Sequence, residues 1–172
     1  MKLRSLQLKD APFMLEWMHD RNVTEKLRAD FASKTLSDAE AFITQSWQDA
    51  KNVHMAIVSD QDEYMGTVSL KSIEDGTAEF AITVRTKAMG RGYSWYGMDS
   101  IIRLAFEKHG LNEVYWCVSR DNARAVRFYD KHGFFEKTDV SPNILERYVG
   151  IPNLKWYCVQ REYWNKTSHS NI

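Results

Sequence analysis

Two short stretches carry residues whose types and spacing suit chemistry. The first is Gly90-Arg91-Gly92, which follows a strand-like run ending near Val84 and leads directly into an apolar-striped helix. Glycines at such a junction let the chain turn tightly and bring several backbone N–H groups close to a ligand. The helix start adds unpaired donors and the positive end of its dipole, so an anion is the natural guest. Arg85, Lys87 and Arg91 agree: residues 85–92 carry +3 with no carboxylate. A lone Gly-x-Gly also fits a tight strand-to-helix connection with no ligand. Two phosphate motifs are excluded. A dinucleotide fingerprint would need a third glycine at position 95, which is Trp95, and no Gly-Lys-Ser/Thr follows as a P-loop requires.

The second stretch is 118–136, with Asn122 and Tyr129 seven residues apart. On a helix that spacing leaves them about 20° apart, on one face. Asn122 can hold an amide or hydroxyl group, and Tyr129 can donate a proton. Taken alone, the same residues are more often a core helix with a capping Asn and an aromatic filler.

The elements that must position these groups follow from periodicity. Leu3–Leu8 reads as a first strand; Asp10 then caps a helix with Pro12 in its first turn and Met14, Trp17 and Met18 on one face. Ser37 and Glu40 form a capping-box pair ahead of a helix whose stripe runs Ala39, Phe42, Ile43, Ser46, Trp47, Ala50. Three strands, about His54–Ser59, Tyr64–Ile73 and Thr77–Val84, are joined by short polar turns and make an antiparallel meander. After the glycine turn a helix buries Trp95, Met98, Ile101, Ile102 and Ala105 and ends at Gly110. Leu111–Val118 is a strand, Asp121 or Asn122 starts a helix that Gly133 stops, Phe134–Glu136 is extended, and Leu154–Trp164 is a long final strand. The succession predicts a mixed α/β sheet with a right-handed strand–helix–strand crossover.

Composition removes other classes. The chain has 172 residues, 44% hydrophobic and 27% charged, which suits one globular domain over 1–166 and a short disordered tail at 167–172. Lys plus Arg and Asp plus Glu are both 23, so no broadly basic surface exists for nucleic acid. There is no signal-peptide pattern and no apolar run that would span a membrane. Cys117 and Cys158 sit in strand-like runs and read as buried thiols of a reducing compartment, and the five histidines lack ligand spacing, so no metal is expected. A soluble cytoplasmic protein is the expectation.

Together, Ala78-Glu79-Phe80, Lys87-x-x-Gly90-Arg91-Gly92 and Asn122-x6-Tyr129-x3-Gly133-Phe134, in that order and on this succession of elements, resemble the GNAT superfamily of acetyl-CoA-dependent N-acetyltransferases. The resemblance spans Leu3 to about Trp164 and is greatest to spermidine and ribosomal-protein-alanine N-acetyltransferases. It implies a GNAT-like fold: a central, mostly antiparallel sheet with a β-α-β cofactor unit, flanked by helices. It implies acetyl-CoA as cosubstrate, its pantetheine arm along Ile82, Thr83 and Val84 and its pyrophosphate on the backbone of Met89, Gly90, Arg91, Gly92, Tyr93 and Ser94. Lys87 belongs to the same turn, although the superfamily more often has Gln or Arg there, and Met89 replaces a polar or aromatic residue. The Asn122 position contacts the pantetheine end. The Tyr129 position is the general acid for the departing thiolate, and the Glu79 position a base acting through water.

Glu79 alternates with Phe80 and fits a solvent-facing strand carboxylate as well as a base. An amine attacks only when neutral, so the reaction needs some base, and the developing oxyanion needs a donor, most simply a strand amide near Ile82 or Thr83. The acceptor is a small amine such as a polyamine, or a protein N-terminus; an amino sugar is an alternative, as is a non-catalytic module that binds acyl-CoA and regulates. Residues 60–79 carry −5, which favours a cationic acceptor unless those turns are simply solvated. Residues 120–137 carry +2, so the neutral total hides local charge. The stretch 139–153 follows no motif, and the resemblance implies that this region helps shape the acceptor pocket. Tyr157, Tyr163 and Trp164 fit a homodimer interface or a core strand equally.

Overall fold

Along the second strand, Ala56 and Val58 pack to one side while Ile57 packs to the other, and each side has its own apolar cluster. That alternation, repeated on the neighbouring strands, makes a sheet covered on both faces. The computed structural model describes residues 1–27 and 29–168, with side chains as far as Trp164. Its strands are β1 (Lys2–Ser5), β2 (Val53–Val58), β3 (Tyr64–Glu74), β4 (Thr77–Val84), β5 (Glu113–Ser119), β6 (Phe135–Glu136) and β7 (Leu154–Gln160). The helices are α1 (Ala11–Met18), α2 (Arg21–Thr24), α3 (Leu36–Ser46), α4 (Tyr93–Glu107), α5 (Ala123–Lys131), α6 (Pro142–Glu146) and α7 (Arg161–Ser168).

The sheet order is β1-β2-β3-β4-β5-β7-β6. Every pairing is antiparallel except β4 with β5, which α4 connects. This is the expected mixed sheet with one β-α-β unit. One face packs against α4 and α5, including Phe80, Met98, Ile101, Trp116, Tyr129 and Tyr157. The other face packs against α1 and α3, including Met14, Trp17, Ile43, Ala56 and Tyr64.

Several boundaries differ from the sequence reading, each for a local reason. β1 ends at Ser5 rather than Leu8, because Asp10 accepts from the Gln7 N–H at 2.9 Å and from Arg4 at 2.7 and 2.8 Å. Those bonds fold Leu8–Asp10 into a 3₁₀ turn. The capping box of α3 is Thr35 with Asp38, not Ser37 with Glu40; the same pattern occurs two residues earlier and claims the helix start. That helix stops at Ser46, leaving Trp47 with its indole N–H on the Leu6 carbonyl at 2.8 Å.

The last strand ends at Gln160 rather than Trp164, and α7 runs from Arg161 to Ser168. Trp164 is buried and Tyr157 fully so, whereas Tyr163 is exposed. Of the tail expected at 167–172, residues 167 and 168 belong to α7, and positions 169–172 lie outside the described residues. Among the described residues, no helix is long and apolar enough to cross a membrane.

Candidate active site

The strand pairing that matters most is the one that stops. β4 and β5 are paired only at Thr77 with Glu113, Ala78 with Val114 and Glu79 with Tyr115. β4 nevertheless continues to Val84 and β5 to Ser119. Beyond Glu79 and Tyr115 the two strands therefore part, and their facing backbone groups are offered to a third, extended chain. On its other edge β4 stays paired with β3 as far as Gly66 opposite Val84. A Cβ on Gly66 would stand 2.4 Å from the Thr83 carbonyl oxygen, so only glycine allows that close pairing.

The glycine turn lies at the end of β4. Gly90 and Gly92 have φ of 72° and 85°, the left-handed region, and Gly92 is the N-cap of α4 with no side chain over the first turn. The first-turn N–H groups of Tyr93, Ser94 and Trp95 have no helical acceptor, so they remain for an anion. The side chain of Tyr93 is buried in the core, leaving only its backbone for this purpose.

The charge around the turn differs from the sequence sum. Arg85 is 5% exposed; its guanidinium is bidentate on Glu16 (3.0 and 2.8 Å) and also meets Glu63 at 2.9 Å and the Tyr64 carbonyl at 2.8 Å. Lys87 is held by both oxygens of Glu63, at 2.8 and 2.9 Å. Two of the three expected cations are thus neutralised by carboxylates distant in sequence. Arg91 remains exposed at the turn. A cation the sequence reading missed joins it: Arg124, in the first turn of α5, reaches the Met89 sulfur at 3.1 Å. Three arginines in 120–127 were visible in the sequence, but no pattern showed which of them meets the turn.

The two expected catalytic residues approach from opposite faces of the sheet. Asn122 caps α5, its side-chain oxygen accepting from the Ala125 N–H at 3.2 Å. Tyr129 then lies on the α4 side against Trp116 (5.2 Å between ring centroids) and Tyr157 (5.1 Å). Burial, with smaller contributions from Tyr157 and Cys117, raises its phenol pKa above the ordinary value, so the group keeps its proton.

Glu79 points to the other face, where it is buried rather than solvent-facing. It accepts from Lys71 at 3.0 Å, from Arg147 at 3.4 Å and from the Tyr148 hydroxyl. Arg147 also donates to the Ser72 and Tyr115 hydroxyls. The unassigned stretch 139–153 is therefore tied over the sheet through this carboxylate.

Beside it, on the same face, lies a cavity of about 430 Å³ between β3–β4 and the helices α1 and α3. Met14, Trp17, Phe31 and Phe42 form its apolar wall, and Ser69, Ala81 and Thr83 its strand floor. Ile82, between the last two, turns to the α4 face, where its Cδ1 would be 3.3 Å from a Cβ on Gly97. The carboxylates of 60–79 do not line this cavity. Asp60 pairs with the N-terminus, Asp62 with Arg4 and Lys9, Glu63 with Arg85 and Lys87, and Glu79 with Lys71 and Arg147. Glu74 and Asp75 border a different depression. The lining contains one carboxylate, Asp38, which accepts from the Thr35 N–H at 2.7 Å.

Comparison with known proteins agrees with this arrangement. A curated spermidine N(1)-acetyltransferase of Vibrio cholerae is 22% identical over 169 residues, covering 96% of each chain. A crystal structure of spermidine N-acetyltransferase from Vibrio cholerae, in complex with CoA and spermine, superposes with a TM-score of 0.79 at 18% identity, over 95% of this chain and 97% of that one. A variant of that enzyme gives 0.76 at 20% identity over 98% and 99%. Residues 1–135 match the acetyltransferase (GNAT) domain, which takes in the diverging strands, the glycine turn and Tyr129. The chain belongs to the GNAT acetyltransferase family and is an acetyl-CoA-dependent N-acetyltransferase.

Proposed function

We propose that this enzyme transfers acetyl from acetyl-CoA to a primary amine by direct attack in a ternary complex, with Tyr129 protonating the departing thiolate. The observation that carries this reading is the parting of β4 from β5 directly above the glycine turn. A pantetheine arm can add to the free edge of β4 at Ile82–Val84, as an extended segment adds to a sheet edge. The first-turn amides of α4, with Arg91 and Arg124, then take the pyrophosphate.

Acetyl-CoA supplies the thioester. The chain's residues do the rest. An amide of β4 near Ile82 or Thr83 stabilises the oxyanion as it forms. The amine enters from the cavity on one face, and the sulfur leaves toward Tyr129 on the other. Because Tyr129 stays protonated, its hydroxyl can donate to sulfur.

The relatives favour a polyamine as acceptor, and Trp17, Phe31 and Phe42 suit a methylene chain or an ammonium over their ring faces. The shortage of carboxylates in the cavity favours a second reading, an amine on a largely neutral body, such as a protein N-terminus or an amino sugar. Replacing Tyr129 by Phe tests the mechanism. The expected result is a kcat lower by roughly 10²-fold with acetyl-CoA affinity unchanged, since a thiolate is a fair leaving group and acid assistance sits at the low end of its range. A fully active variant overturns the acid role.

A further inference from the structure

His54 lines the acceptor cavity from β2, and none of the steps above uses it. The register sets His54 beside Ser69 on β3, and Ser69 beside Ala81 on β4, next to Ile82 and Thr83. Two interstrand steps, about 10 Å, thus separate the His54 backbone from the strand where the thioester carbonyl is placed. The cavity is lined from all three of these strands.

The ring is held on two sides. Nδ1 lies 2.7 Å from the Ser69 hydroxyl, and Phe42 packs edge-on at 4.8 Å between ring centroids. Among the described residues Nε2 has no hydrogen-bond partner. Asp49 and Lys71 act on the ring with opposite signs, and Lys34 and Asp38 face it across the cavity from α3 and the turn before it. Burial outweighs them and lowers the imidazole pKa below its ordinary value, so the ring is neutral near pH 7. Glu79, by contrast, already accepts from Lys71, Arg147 and Tyr148.

We propose that His54, oriented by Ser69, is the base that takes the proton from the attacking amine, and that Glu79 serves to anchor the 139–153 stretch. This rests on the acetyltransferase reading above. In the tautomer that donates Nδ1–H to Ser69, the Nε2 lone pair is left to accept a proton. The ammonium passes its first proton to Nε2 and thence to water. The amine lone pair forms the C–N bond and the C–S bond breaks. The second nitrogen proton, shed as the amide forms, restores through solvent the proton that Tyr129 gives to sulfur. One proton is released per turnover.

The test is the pH dependence of kcat/KM from pH 5 to 9 with spermidine, an alanine-first peptide and glucosamine as acceptors. The wild type should fall with unit slope below the ordinary histidine range, roughly pH 6.5. His54→Gln should lose 10²-fold or more near pH 7 with acetyl-CoA affinity unchanged. Its rate should climb steadily with pH toward the acceptor's own titration, because only amine that is already neutral reacts. Ser69→Ala, a milder change, should lower the rate severalfold at pH 7.

His54→Gln with a wild-type profile, or Glu79→Gln that alone removes the acid limb, overturns the assignment. So does Ser69→Ala with an unaltered rate, should His54→Gln fail to fold. A wild type inactive on all three acceptors overturns the acceptor classes proposed for this cavity as well as the role of His54. An active wild type with an unchanged His54→Gln profile overturns the role of His54 alone.

Discussion

Lys87 and Arg124 lie near the same turn but differ in what holds them. Lys87 sits inside the glycine-turn motif, yet both oxygens of Glu63 hold its ammonium. Arg124 belongs to no motif, yet it lies on the turn through Met89. Removing Arg124 with Ala is expected to raise the KM for acetyl-CoA by about tenfold, the value of one charge-assisted contact to phosphate. Lys87→Ala should change it by less than threefold. Steady-state kinetics with acetyl-CoA varied at fixed acceptor measures both, and a larger effect at Lys87 would exchange the roles of the two cations. A motif shows where an anion site is built; it cannot show which nearby cation is already engaged by a carboxylate twenty-four residues away.

At the scale of elements, the β2–β3 hairpin fastens the start of the chain to the sheet. Asp62 accepts from Arg4 at 2.7 Å and also from Lys9. The bonds from Lys9 and Arg4, in that order, lower the Asp62 carboxyl pKa to about 2. A carboxylate whose pKa is lower in the folded state contributes stability above its unfolded pKa, about 3.9, and loses it as pH falls through the folded value. Asp62→Asn tolerates the backbone's φ of 65° and should therefore unfold at a lower temperature than the wild type at pH 7. The gap should close between about pH 4 and pH 2. Thermal melts across that range check it; a gap that persists at pH 2 would assign the effect to something other than the charge.

Most elements were legible from periodicity, including the meander, the crossover helix and the helix starting at Asn122, whereas the short helices α2 and α6 and the C-terminal α7 were not. Nor were the ends of the others. Leu8–Asp10 leaves the first strand because Asp10 finds Arg4, and Arg161 starts a helix where an apolar run implied more strand. Tertiary partners settle such boundaries, and periodicity does not see them.

For the whole molecule, the proposed mechanism relies on the sheet to bring the two halves of the reaction together. Its meander half carries the cavity, its β5–β7–β6 half carries the face against which Tyr129 packs, and the gap between the halves is where β4 leaves β5. The motif residues of that gap could be read from the sequence, because a glycine turn and an Asn–Tyr pair have fixed spacing. The acceptor cavity could not. Its walls come from α1, α3 and three strands, and of the six carboxylates that hinted at a cationic acceptor four are committed to ion pairs and two border another depression.

On the proposed mechanism, acetyl moves directly from acetyl-CoA in the strand gap to an amine in this cavity. Mass spectrometry of the acceptor, alongside thiol release, tests it most directly with spermidine, an alanine-first peptide and glucosamine as amines. An acetylated amine should appear one-for-one with free CoA, only when both substrates are present, and no acetyl group should remain on the protein. CoA release without an acetylated amine, or an acetylated protein that forms before the amine is added, would contradict the account.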